Sequence, residues 1–120
     1  MTSKLSKGAR SMATADETTL IYSDFGSDED LAELVEMFVD EIPARVQSML
    51  DAAESSDWEQ LGRIAHQMKG AAGSYGFGEV TNVAARLEHA CREGDSPEAI
   101  QRGLQDLVTI CLRMRSGAPQ

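Results

Sequence analysis

Cysteine is scarce: the chain has two, Cys91 and Cys111, in 120 residues. That excludes a disulfide-dense secreted scaffold, and their separation matches no zinc-ligand pattern. Aromatic residues make up 5%, too few for a sandwich or barrel built on aromatic strands. No apolar run approaches the ~20 residues that a membrane span requires, and no apolar core of a secretory signal stands near the N-terminus. Basic residues are unevenly spread: Lys4, Lys7 and Arg10 stand in the first fifteen residues and few follow until after Glu59. Between Asp16 and Glu59 there are 14 acids and one base, Arg45, in a chain of formal charge −9. A surface this acidic repels phosphate backbones, so neither nucleic acid nor a membrane is an expected partner. Taken alone, the charge argues for solubility and nothing more.

What is present fits one globular domain. The hydrophobic share is 42% and the charged share 26%, and a chain of this length buries one modest core. Residues 1–19 are small and polar with no amphipathic period and read as a flexible tail; residues 20–115 read as the folded unit and 116–120 as a frayed end. Within the folded unit the periodicity is helical throughout. A short first helix is expected from Asp28 to Asp40, capped by Ser27 and carrying Leu31, Leu34, Val35 and Phe38 on its apolar stripe. Pro43 breaks or kinks the chain, or opens a second helix that runs to Glu54. Ser56 and Glu59 form a capping-box pattern before a helix from Asp57 to Ser74. Gly76 and Gly78 interrupt the chain before a helix from Glu79 to Arg92, and Gly94-Asp95-Ser96-Pro97 precedes a last helix reaching Arg115. No stretch alternates long enough for a strand. The expected architecture is all-α: an up-down four-helix bundle with an additional short N-terminal helix.

The helix from Asp57 to Ser74 carries the chemistry. Trp58, Leu61, Ala65, Met68, Ala72 and Tyr75 recur in steps of three and four, the spacing of a bundle seam. At about 100° per residue, His66 points roughly 130° away from that seam, toward solvent. Around it stand Gly62 at i−4, Gly70 at i+4 and Gly73 at i+7. Each interior glycine costs about 1 kcal/mol relative to alanine, a notable expense for a small domain. The gain expected from them is access, because a side without Cβ atoms lets another protein approach the ring. Lys69 at i+3 and Arg63 at i−3 add cations nearby. An isolated surface histidine is ordinarily incidental; this framing is rarer and favours a role. An exposed imidazole is a nucleophile, and an adjacent cation suits a phosphoryl group. No second ligand at i+4 supports a metal site, no partner acid suggests hydrolysis, and His89 reads as an incidental surface residue.

The run His66-Gln67-Met68-Lys69-Gly70-Ala71-Ala72-Gly73-Ser74-Tyr75-Gly76-Phe77 resembles the signature of histidine-containing phosphotransfer (HPt) domains. The surrounding layout, with Arg86-Leu87-Glu88 on the next helix, is similar over about residues 28–114. The resemblance implies a cytoplasmic phosphoryl carrier in a multistep His-Asp relay. On that basis His66 would accept the group at Nε2, Lys69 would steady it, and Gly70 would let the partner in. Gly62, Arg63, Gln67 and Gly73 would belong to the surface around the ring. Glu88 would lie close to the histidine, where its charge would repel a phosphate. The implied partners are a receiver domain, which would supply an aspartate and Mg²⁺, and a hybrid sensor kinase. No cofactor or metal is implied for the chain itself. Nor is it expected to be an enzyme: it has no Gly-rich nucleotide loop and no kinase motif. Tyr75 and Phe77 are candidates for a docking patch, though both also suit the core. Two other readings are a docking module that carries no phosphate and an idle helical dimer.

Overall fold

A computed structural model describes residues 19–118. Of the expected 1–19 tail, residues 1–18, like residues 119–120, lie outside the described part. The described chain has four helices: α1 (Ala32–Glu54), α2 (Trp58–Ser74), α3 (Gly78–Arg92) and α4 (Pro97–Cys111). Two short strands, β1 (Ile21–Tyr22) and β2 (Met114–Arg115), pair in parallel with Ile21 opposite Met114.

The first correction concerns α1. The helices expected on either side of Pro43 are one element of 23 residues with the proline inside it, so among the described residues no separate short helix precedes the others. Val35, Phe38, Ile42, Val46, Met49 and Ala53 are all buried on one unbroken stripe that passes the proline. Pro43 itself is exposed. An interior proline costs about 3 kcal/mol. Burying a large aliphatic or aromatic side chain contributes about 1.5–3 kcal/mol, so the stripe outweighs that cost. Residues Asp28 to Leu31 form turns in place of helix; the Asp28 carboxylate accepts from the backbone N–H groups of Asp30 at 2.8 Å and Leu31 at 3.2 Å. Leu34, assigned to the stripe from sequence, is 44% exposed.

The second correction is at the C-terminus. Helix α4 stops at Cys111, and Met114 reaches the core from β2 instead of from a further helical turn. A two-residue strand is too short to leave an alternating pattern.

The other helix boundaries follow local chemistry. The Asp57 side chain caps α2 by accepting from Gln60 N–H, and the Ser96 hydroxyl caps α4 by accepting from Ala99 N–H, with Pro97 in the first turn. Gly76 and Gly94 take positive φ (84° and 70°) where α2 and α3 end. The helices pack in sequence, α1 on α2, α2 on α3 and α3 on α4, and α4 returns to α1. Leu61, Ala65, Met68 and Ala72 of α2 meet Val80, Ala84 and Leu87 of α3 in the shared core, together with Phe77 from the link. Phe77 is therefore core, and Tyr75 is half-buried with its ring stacked on Phe38 at 5.0 Å. No helix among the described residues is long and apolar enough to cross a membrane.

Candidate functional site

His66 lies mid-way along α2 with its side chain 62% exposed, on the solvent side as its angular offset from the seam requires. Its Nδ1 is 2.8 Å from Oε2 of Glu88 on α3. Glu88 occupies an inward position, one helical step from Ala84 and from Cys91, and its side chain is only 6% exposed. A buried carboxylate needs partners, and Glu88 has three. Lys69 Nζ lies 2.7 Å from its Oε1, and Arg92, one turn further along α3, pairs with Oε2 beside the histidine. The Lys69 ammonium holds the Glu88 carboxyl below its ordinary range; burial opposes this, and the His66 hydrogen bond and the charge of Arg92 reinforce it.

An ionised carboxylate only accepts hydrogen bonds. Glu88 therefore assigns the proton of the neutral imidazole to Nδ1, which donates to it. The lone pair is left on Nε2, which has no partner among the described residues. Glu88 lies close to the histidine, as the resemblance implies, and its contact with the ring is a hydrogen bond that orients it.

The three glycines separate into two groups. A Cβ on Gly70 would meet nothing within 4 Å, as an access role requires. A Cβ on Gly62 would stand 3.0 Å from Cβ of Cys91, and one on Gly73 would stand 3.3 Å from Oγ1 of Thr81. Both contacts are with α3. The expectation that all three clear space for a partner is corrected: Gly62 and Gly73 bring α3 close to α2, and only Gly70 is open. Lys69 also differs from the free point charge expected of it, being tied to Glu88. The Thr81 hydroxyl donates to the Lys69 carbonyl at 3.2 Å and so adds a second tie between the two helices.

Beside the ring, on its α2 N-terminal side, runs an open groove of about 320 Å³ whose lining includes Trp58, Gly62, His66, Glu88, Cys91 and Arg92. Arg63 donates to Gln60 at 2.8 Å and lies 3.8 Å from Glu59. Gln67 and His89 are exposed. Among the described residues, no group of three or more His, Cys, Asp or Glu side chains is arranged to hold a metal ion. Sequence reading named Glu88 but not its part as the centre of the cluster. The signal was available: an acid at the inward spacing Ala84–Glu88–Cys91 requires a cation from a neighbouring helix.

Fold and site together define a small helical module that presents one accessible, oriented imidazole between two closely packed helices. The family model for the Hpt domain matches residues 33–117, most of the chain, and the protein belongs to that family, whose members are phosphotransfer modules of His-Asp phosphorelays. No curated protein and no solved structure matches the chain.

Proposed function

We propose that this protein carries a phosphoryl group at Nε2 of His66, taking it from the phosphorylated aspartate of one receiver domain and passing it to the aspartate of another. The observation that carries the reading is the pairing of an unpartnered Nε2 on a 62% exposed side chain with an Nδ1 held by Glu88. A nucleophile fixed in one orientation with its lone pair outward is suited to in-line attack on phosphorus. Gly70 leaves room for the receiver's backbone beside the ring. Lys69, 35% exposed and hydrogen-bonded to Glu88, is close enough to the site to share its charge with the arriving phosphoryl oxygens. Arg63 and Gln67 contribute to the surface the receiver meets. The receiver brings Mg²⁺ and most of the charge neutralisation, and a hybrid sensor kinase stands at the head of the relay. The chain needs no nucleotide of its own and acts as a carrier without autokinase activity. The three- and four-residue links between helices that pack in ring order support an up-down arrangement of the bundle.

The test is incubation with a receiver domain labelled as its acyl phosphate. Acid-labile label should move to the wild-type chain and be absent from His66→Gln. Label that transfers equally to the variant would refute the assignment. A docking module without phosphate would co-purify with the receiver and take up no label.

A further inference from the structure

Of the neighbouring helix pairs in the bundle, α1 and α4 are the least closely packed. Two hollows lie along their seam. One, of about 460 Å³, has Val39, Pro43 and Val46 of α1 on one side and Leu112 and Arg115 on the other. The second, of about 90 Å³, lies between Leu50 of α1 and the α4 residues Gln101, Gln105 and Val108. Val39, Pro43, Val46 and Leu50 follow one another in steps of four, three and four, and so do Gln101, Gln105, Val108 and Leu112. The two hollows therefore belong to one strip with the spacing of a helix-packing seam, outside the seams that form the core. Leu50 is 42% and Leu112 67% exposed. No acid lines either hollow among the described residues, in a chain with 20 acids against 11 bases. An apolar strip emptied of charge, with charges at its rim, has the composition of an interface core. We propose that this strip pairs with the same strip of a second copy, giving a symmetric dimer in which α1 of each copy lies against α4 of the other.

Charge selects both the occupant's approach and the symmetry. Two chains of formal charge −9 repel each other, so copies can meet closely only on a face without acids, and the strip is such a face. Its rim fixes the axis. At the Val39 end, exposed Glu36 stands one helical step before Val39 on α1, and Arg115 closes the strip on the α4 side. The Arg115 Nη1 donates to the carbonyls of Leu112 and Met114, which anchors the guanidinium there. A two-fold axis running along the helices sets α1 on α4 with matching ends together, and Glu36 of each copy then meets Arg115 of the other. A two-fold axis across the helices sets α1 on α1 in opposite directions and brings Glu36 against Glu54. The first arrangement pairs opposite charges and the second pairs like charges. At the Leu50 end, Glu54 on α1 stands across from both Glu98 and Arg102 on α4, which adds little to the choice. His66, Gly70 and Glu88 lie on α2 and α3, and none of them lines the strip. Both rings stay uncovered in the pair, and the pairing does not depend on the carrier role of His66.

Sedimentation equilibrium of the full chain from about 1 μM to about 1 mM tests the pairing. The average mass should rise from that of one chain to that of two within this range. Leu112→Glu alters an exposed side chain, so its thermal transition should hold while the dimer's dissociation constant rises at least about a hundredfold, because the contact is lost twice per dimer. Glu36→Arg and Arg115→Glu should each weaken self-association by roughly tenfold. An equimolar mixture of these two variants should form mixed dimers about as tightly as wild type pairs with itself, since each then offers the charge that the other lacks. A wild-type chain that stays monomeric across the range would overturn the proposal. So would a Leu112→Glu variant that dimerises as wild type does, or charge variants that do not pair with one another. A monomer in which removal of residues 1–18 shifts the amide signals of Val39 and Leu112 would give the strip to the chain's own N-terminal segment and would likewise overturn it.

Discussion

The two flanks of His66 along α2 look alike in sequence and differ in what they face. Gly62 and Gly70 lie one turn to either side of the ring, and neither offers a side chain. Behind Gly62 stands Cβ of Cys91, at a distance where an added methyl would force α2 and α3 apart; around Gly70 there is nothing within 4 Å. The first absence serves the packing of two helices, and the second, in the proposed function, leaves room for the receiver. Close packing at Gly62, repeated at Gly73 against Thr81, is what allows Glu88 on α3 to reach Nδ1 of His66 on α2. The filled flank orients the ring and the open flank leaves it exposed. Missing side chains therefore do not, by themselves, reveal a docking surface.

That contrast can be broken from several directions. The largest effect belongs to the ring: His66→Gln should abolish acid-labile phosphorylation while leaving the thermal transition in place, because the side chain is mostly solvent-exposed. Next comes Gly70→Leu. Transfer from a receiver should slow by at least about tenfold through steric exclusion, while the melting temperature holds or rises, since leucine is the better helix former by about 1 kcal/mol. Undiminished transfer would remove the open flank from the account. Gly62→Ala should do the reverse. Overpacking costs about 1–3 kcal/mol, a helix gain of about 1 kcal/mol offsets part of it, and a net loss of roughly 1 kcal/mol should appear in urea denaturation. Gly70→Ala, measured alongside, should gain up to about 1 kcal/mol; equal responses at the two sites would contradict the division between them. The smallest effect is the pH dependence of Glu88. Its carboxyl is held below the ordinary value of 4.5, chiefly by Lys69. A lowered folded-state pKa contributes stability that is fully present above 4.5 and is lost as pH falls below it through the folded-state value. The denaturation midpoints of wild type and Glu88→Gln should therefore draw together as pH falls below 4.5, and a constant gap would show that the ion pairs add nothing to folding.

Much of the bundle was readable in advance because caps and seams are local. Gly76, Gly94 and Ser96-Pro97 bound α2, α3 and α4 through interactions within a few residues, and the seam of α2 set the outward direction of His66; at the start of α2 the cap is Asp57, one residue after the Ser56 that the capping-box pattern selects. The failures arise where distant packing outweighs local preference. Pro43 reads as a break because its lost hydrogen bond is local, whereas the stripe from Val35 to Ala53 that carries α1 past it depends on the other helices. Met114 fits a helical stripe, yet pairs with a residue more than ninety positions earlier in the chain. Glu88 was placed near the histidine by resemblance. Its place as the centre of a charge cluster was not legible, because one of the cations paired with it, Lys69, comes from α2 and only Arg92 from its own helix. The glycines were legible as unusual, but which of them faces a neighbour depends on the crossing of α2 and α3, which no single helix records.

The claim on which the rest depends is that the ring is held by Nδ1 and offered by Nε2. The most direct measurement is the ¹⁵N NMR spectrum of the histidine side chains after phosphorylation by a receiver domain, in which the two ring nitrogens and the two histidines are distinguishable. The account predicts one phosphorylated nitrogen, Nε2 of His66, with His89 unchanged. Phosphate on Nδ1 of His66, or on His89, would contradict it.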